Sequence, residues 1–223
     1  MARFLIFIFL GIVACQSPIP FHKTIDIETE TPNRFFEAVS KYMVSKQICV
    51  ITNQAGIGRL LLVPAIEKRK FPTRLHEMLA YYDASLVKIF TPEHGLSAQE
   101  EESGNQHKLK FPVIGTYKLK VPDLTREFES CQEIVFDLPD AGIRPFTYRT
   151  IMTRSMRAFE KGNFKRKRFW ILDVPNPASY LKAQGPITQK KYFSILGEQE
   201  IPFFPYYTYG ELALKYYYRH KMK

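Results

Sequence analysis

The chain has 223 residues and a formal net charge of +10, with 45% hydrophobic, 14% aromatic and 24% charged residues. Those proportions exclude a disordered, collagenous or multi-span membrane chain, and at about 150 residues per domain the length allows one full core and part of another. The positive balance admits nucleic acid, anionic lipid or an acidic polymer as partner and chooses among none of them.

Met1-Ala2-Arg3 followed by ten uncharged residues, Phe4 to Val13, has the form of a secretory signal. Crossing a bilayer needs about 20 apolar residues, so the run is too short for a transmembrane helix. Ile12-Val13-Ala14-Cys15 resembles a bacterial lipoprotein cleavage box. Residues 1–14 are therefore expected to be a signal peptide and Cys15 the lipidated mature N-terminus. The competing reading is a hydrophobic N-terminal strand with an incidental cysteine. Residues 15–31, with Pro18, Pro20 and a polar run from Lys23, would form a tether with no core of its own.

Thr31-Pro32 fits an N-cap and first helical position, and the spacing of Phe35, Phe36, Val39, Tyr42 and Met43 predicts a helix to about Lys46. A strand follows at Ile48 to Thr52, then a loop from Asn53 to Gly58, a helix marked by Leu75, Met78, Leu79 and Tyr82, and a strand at Leu86 to Thr91. After the polar loop Pro92 to Gln106 come an extended piece at Val113 to Tyr117, a helix near Pro122 to Ser130 and an apolar strand at Ile134 to Leu138. Asp140 to Thr147 is a loop, Tyr148 to Lys161 a helix, Phe169 to Leu172 a strand, and Asp173 to Gly185 a proline-rich loop. Apolar strands alternating with helices predict a parallel sheet covered on both faces, an α/β fold. Its polar loops follow strand C-termini, where such sheets bind ligands, so Asn53, Glu93, Asp140 and Asn176 should meet at one cleft.

Cys49 and Cys131 each sit beside a strand-like run, without metal-ligand spacing. Pairing in an oxidising compartment and burial as free thiols are equally open. The loop at Asn53 lacks a G-x-G-x-x-G or Walker lysine, so no nucleotide cofactor is supported, and His94 has no partner at metal-binding spacing. In Thr91-Pro92-Glu93-His94-Gly95 an acid and an imidazole stand at a strand end, which fits general-acid chemistry and loop capping equally well. Asp137, ending a buried strand, is read as structural, whereas Asp140 and Arg144 are candidates to hold a polar ligand.

Five motifs occur in the order seen in one family: Val50 to Gly56, Phe90 to Leu96, Val135 to Arg144 with Phe146-Thr147-Tyr148, Leu172 to Pro177, and Gly210-Glu211-Leu212-Ala213. Over Ile48 to Leu214 the chain resembles the NamZ-type exo-β-N-acetylmuramidases. The resemblance implies a Rossmann-like parallel sheet flanked by helices over residues 32–186, with residues 187–223 as only the start of a second, smaller C-terminal domain. It implies an enzyme removing terminal N-acetylmuramic acid from peptidoglycan fragments, without a cofactor, and it places the proposed catalytic acid on Glu93. Asn53, His94, Asp140, Arg144 and Asn176 would line the same cleft.

Two departures accompany the resemblance. Where the family tends to read V-E-G-P, this chain has Ala183-Gln184-Gly185-Pro186, so Gln184 replaces a second glutamate and can bind a sugar but not ionise. The family also continues well past its G-E-L-A helix, whereas this chain stops ten residues after Ala213. Three functions are compared: a membrane-anchored envelope hydrolase, a non-catalytic muropeptide-binding lipoprotein or inactive truncated remnant, and a nucleic-acid binder. Export separates the last from its ligand, so no nucleic-acid partner is expected.

Overall fold

The computed structural model describes residues 3–8, 43, 45–56, 75, 85–97, 111–178 and 182–222. Six strands form one all-parallel sheet: β1 (Arg3–Ile8), β2 (Gln47–Thr52), β3 (Ser85–Thr91), β4 (Val113–Gly115), β5 (Glu133–Asp137) and β6 (Arg168–Asp173). Their order across the sheet is β1-β6-β5-β2-β3-β4. Every residue of β5, and all but the first of β2 and β6, is buried or nearly so, as a sheet covered on both faces requires. The expected strands at 48–52, 86–91, 134–138 and 169–172 are all present, within about a residue at each end.

The chain runs outward from β2 to β3 and β4, then returns to place β5 on the other side of β2. That reversal is a topological switch point, and the loops after β2 and β5 flank its crevice. β2 through β6 have the Rossmann strand order, and the place of a sixth strand is taken by β1. Its register runs from Arg3 opposite Arg168 to Ile8 opposite Asp173. In the uncleaved chain the segment expected to be a signal peptide pairs as a strand with β6, whose outer N–H and C=O groups would otherwise be unpaired. Cys15, the tether and most of the two helices expected before Lys46 and around Leu75 lie outside the described residues.

Among the described residues three α-helices with a full span flank the sheet: α1 (Val121–Glu127), continued by a 3₁₀ turn at Phe128–Ser130; α2 (Thr147–Lys161); and α3 (Tyr209–Arg219). Pro122 opens α1. On α2, Ile151, Met152, Ser155, Met156 and Phe159 recur at helical spacing and are all buried. The sequence Thr208-x-x-Glu211 caps α3 reciprocally, with Thr208 Oγ1 accepting from Glu211 N at 3.2 Å and Glu211 Oε2 accepting from Thr208 N at 3.0 Å.

Trp170, Phe90, Phe128 and Phe136 are fully buried at the centre. Ile201, Tyr209, Leu212, Ala213 and Met222 belong to the same core cluster as Phe136, Ile151 and Met156. Burying a side chain such as Leu212 contributes about 1.5–3 kcal/mol, enough to hold α3 on this core rather than on another. Only the start of a second domain was expected from residue 187. Ile187, Tyr192, Phe193 and Leu196 stay exposed, and the chain rejoins the core at Ile201.

Cys49 on β2 and Cys131, just before the adjacent β5, form a disulfide with Cα atoms 5.6 Å apart. Of the two alternatives left open by the sequence, the structure takes pairing.

Candidate active site at the carboxyl edge of the sheet

Asn53 follows β2, Glu93 follows β3, Asp140 follows β5 and Asn176 follows β6, all on one edge of the sheet as expected. What joins them is the first turn of α2. Consecutive helical residues point about 100° apart, so Thr147, Tyr148 and Arg149 reach three different loops. Thr147 Oγ1 stands 2.6 Å and 2.5 Å from the two Glu93 carboxylate oxygens and donates its single proton to one of them. Tyr148 Oη accepts from Asn53 Nδ2 at 2.5 Å. Arg149 Nη2 donates to both Asp140 oxygens at 2.6 Å.

Glu93 is half-buried, and the turn behind it is sharp. His94 (φ +67°) and Gly95 (φ +69°) both adopt the left-handed region, which glycine takes freely and histidine at a cost. This turn leaves Glu93 on Thr147 and the His94 side chain exposed. Burial raises the Tyr148 hydroxyl above the ordinary tyrosine range, the Asn53 bond opposes that, and the Glu93 charge adds to it. The phenol therefore keeps its proton.

Other expected sugar contacts are occupied within the protein. Asp140 has 1% side-chain exposure, accepts from Gly142 N at 2.9 Å and is clamped by Arg149, itself 3% exposed. Burial pushes the Asp140 carboxyl up while Arg149 pulls it down. Asn176 Nδ2 donates to Pro205 O at 2.8 Å and Tyr207 O at 2.9 Å, and its Oδ1 accepts from Ala178 N. Arg144 Nη1 donates to Pro186 O at 2.5 Å and Ile201 O at 3.0 Å, with its guanidinium over the Phe203 ring. All three were expected to face a ligand. In the fold Arg144 and Asn176 fasten the loops after β5 and β6 to the segment before α3, and Asp140 ties its loop to α2 through Arg149. Gln184 is exposed on an antiparallel bridge with Phe204, and among the described residues no contact joins it to Glu93.

Asp137 is structural, as expected. It accepts from Thr52 Oγ1 at 3.4 Å beneath Gly56, where a Cβ would come within 2.6 Å of its carboxylate. Asp173 accepts from Thr208 Oγ1 at 2.6 Å at the start of α3, and burial raises its carboxyl to about 7. Arg149 was missed by sequence reasoning, and Thr147 and Tyr148 had no assigned task. The available signal was a T-Y-R run opening an amphipathic helix directly after a strand-end loop. Among the described residues no group of histidine, cysteine and acidic side chains could hold a metal.

The family model for the N-terminal part of exo-β-N-acetylmuramidase NamZ matches residues 48–223. The chain belongs to the NamZ family. A relative of this NamZ chain is the peptidoglycan β-N-acetylmuramidase NamZ of Bacillus subtilis (strain 168), 29% identical over 181 residues, which make up 78% of this chain and 40% of that protein. Two crystal structures of DUF1343 family proteins from Bacteroides fragilis share the fold. One has a TM-score of 0.66 at 28% identity, covering 83% of this chain and 44% of the other. The second has a TM-score of 0.58 at 27% identity, covering 80% and 44%. The chain thus spans less than half the length of these relatives.

Proposed function

We propose that this chain carries the acid half of an exo-β-N-acetylmuramidase-like glycoside hydrolase acting on N-acetylmuramic acid termini of peptidoglycan fragments. The observation that carries the proposal is the contrast among the strand-edge carboxylates. Asp137, Asp140 and Asp173 are buried and bound within the protein, whereas Glu93 stands half-open with Thr147 holding its carboxylate. In its protonated form Glu93 gives its proton to the glycosidic oxygen as the bond to the anomeric carbon breaks, and water adds its hydroxyl to that carbon and returns a proton to the Glu93 carboxylate. Most glycosidases add a second carboxyl group as base or nucleophile, and Gln184 cannot serve as one. That residue favours the second reading, a muropeptide-binding protein with little or no turnover.

Release of N-acetylmuramic acid from a chromogenic β-N-acetylmuramide tests both. Weak turnover is expected, falling about 10²- to 10⁴-fold in Glu93→Gln and rising in Gln184→Glu. Robust turnover untouched by Glu93→Gln would refute the acid assignment, and sugar binding without any turnover would establish the second reading.

Export and lipidation at Cys15 belong to the same proposal. The Cys49–Cys131 disulfide supports an oxidising compartment. Cleavage before Cys15 would take β1 away with the signal and leave β6 as the sheet's edge.

A further inference from the structure

The direction of every hydrogen bond from Ala55 to Tyr148 can be deduced. A backbone N–H only donates, so the Asn53 atom facing Ala55 N at 2.9 Å is its carbonyl oxygen, Oδ1. The atom facing Tyr148 is then the amide nitrogen, which also only donates. Tyr148 Oη is therefore an acceptor in this contact, and its own proton must point elsewhere. Among the described residues that proton has no acceptor, although Tyr148 is only 9% exposed. A buried hydroxyl donor without an acceptor is uncommon and calls for one. The residue beside it in the chain, Thr147, holds Glu93, so the free proton is carried by the same helical turn that orients the acid.

We propose that Tyr148 is a sugar-binding residue of the Glu93 site, its hydroxyl accepting from the Asn53 amide and donating its proton to an oxygen of the bound sugar. The inference rests on the saccharide reading of the cleft given above. A phenol suits this task better than a lysine or arginine would. It offers one directed donor and no charge, so it does not form an ion pair that would compete with Thr147 for the Glu93 carboxylate. Burial and the nearby Glu93 charge raise the hydroxyl above the ordinary tyrosine range, so it stands as a donor. Asn53 becomes the residue that aims Tyr148 rather than one that meets the sugar.

The test is calorimetric titration of N-acetylmuramic acid into the whole protein and into Tyr148→Phe, with melting temperatures measured alongside. One hydrogen bond to a neutral acceptor predicts about five- to tenfold weaker binding by folded Tyr148→Phe, with the melting temperature lowered because the buried Asn53 amide loses its acceptor. Equal affinity of the two proteins overturns the inference and leaves the Glu93 assignment standing. Failure of the unsubstituted protein to bind overturns the saccharide reading and the inference with it. Should Tyr148→Phe not fold, 3-fluorotyrosine at position 148 is nearly isosteric and a stronger donor. Tighter binding with a shifted fluorine resonance at saturation is then expected, and an unmoved resonance overturns the inference.

Discussion

Asp140 shows how a residue at the right edge of a sheet can still be the wrong kind of residue to meet a ligand. Its carboxylate and the Arg149 guanidinium are both all but removed from water, and each is the other's compensation. Removing one partner leaves a buried charge unpaired, which costs about 3–5 kcal/mol. Asp140→Ala should therefore lower the unfolding free energy by that amount in a urea titration, while sugar affinity per folded molecule changes little. A stable Asp140→Ala protein with lost affinity would contradict this. Asn53, Glu93, Asp140 and Asn176 were legible as one edge because each directly follows an apolar run. Their division into ligand-facing and loop-fastening groups was not, since it depends on carbonyls of Pro186, Ile201, Pro205 and Tyr207, distant in sequence. Backbone acceptors leave no trace in residue type.

Elements bring the same issue to the opposite edge, where β5 and β6 begin. Glu133 lies on the strand with 1% exposure, accepting from Trp170 Nε1 at 2.7 Å and Arg168 Nη1 at 3.0 Å. Burial raises its carboxyl from 4.5 to about 7, with the Trp170 and Arg168 contacts opposing that rise. A folded-state value above the unfolded one means that the folded protein binds this proton more tightly. The group's contribution therefore favours folding below about pH 4.5 and is lost as pH rises to about 7. Glu133→Gln keeps an acceptor for the tryptophan without the charge. Its melting temperature should exceed that of the unsubstituted protein at pH 8 and vary less between pH 5 and 7. An unchanged slope would show that Glu133 ionises normally in the fold. Helix and strand types were readable from period and composition, with α2 expected from Tyr148 and found from Thr147. That single-residue difference at the N-terminus matters, because the extra residue is the one holding Glu93.

Across the whole molecule, the disulfide ties two adjacent strands whose cysteines are 82 residues apart in sequence. Closing a loop of that length in the unfolded chain is worth about 4.5 kcal/mol in chain-entropy accounting. Replacing both cysteines by alanine should thus cost about 2–5 kcal/mol, measured by denaturant unfolding. Thiol trapping of protein taken from an envelope fraction should find both sulfurs blocked, and free thiols there would count against an oxidising compartment. The pairing was undecidable from the sequence because register, rather than spacing, brings Cys49 beside the start of β5. Strand β1 carries a different implication, one of timing. Arg3 pairs with Arg168, so β1 is synthesised long before the strand it joins. Contacts that close so long a loop form late in folding, after the local βα units have docked. The order β6-β5-β2-β3-β4 is then expected to assemble before β1 joins it, and until β6 is synthesised the apolar segment 3–8 has no strand to join. Whatever captures apolar segments during translation meets this one unpaired.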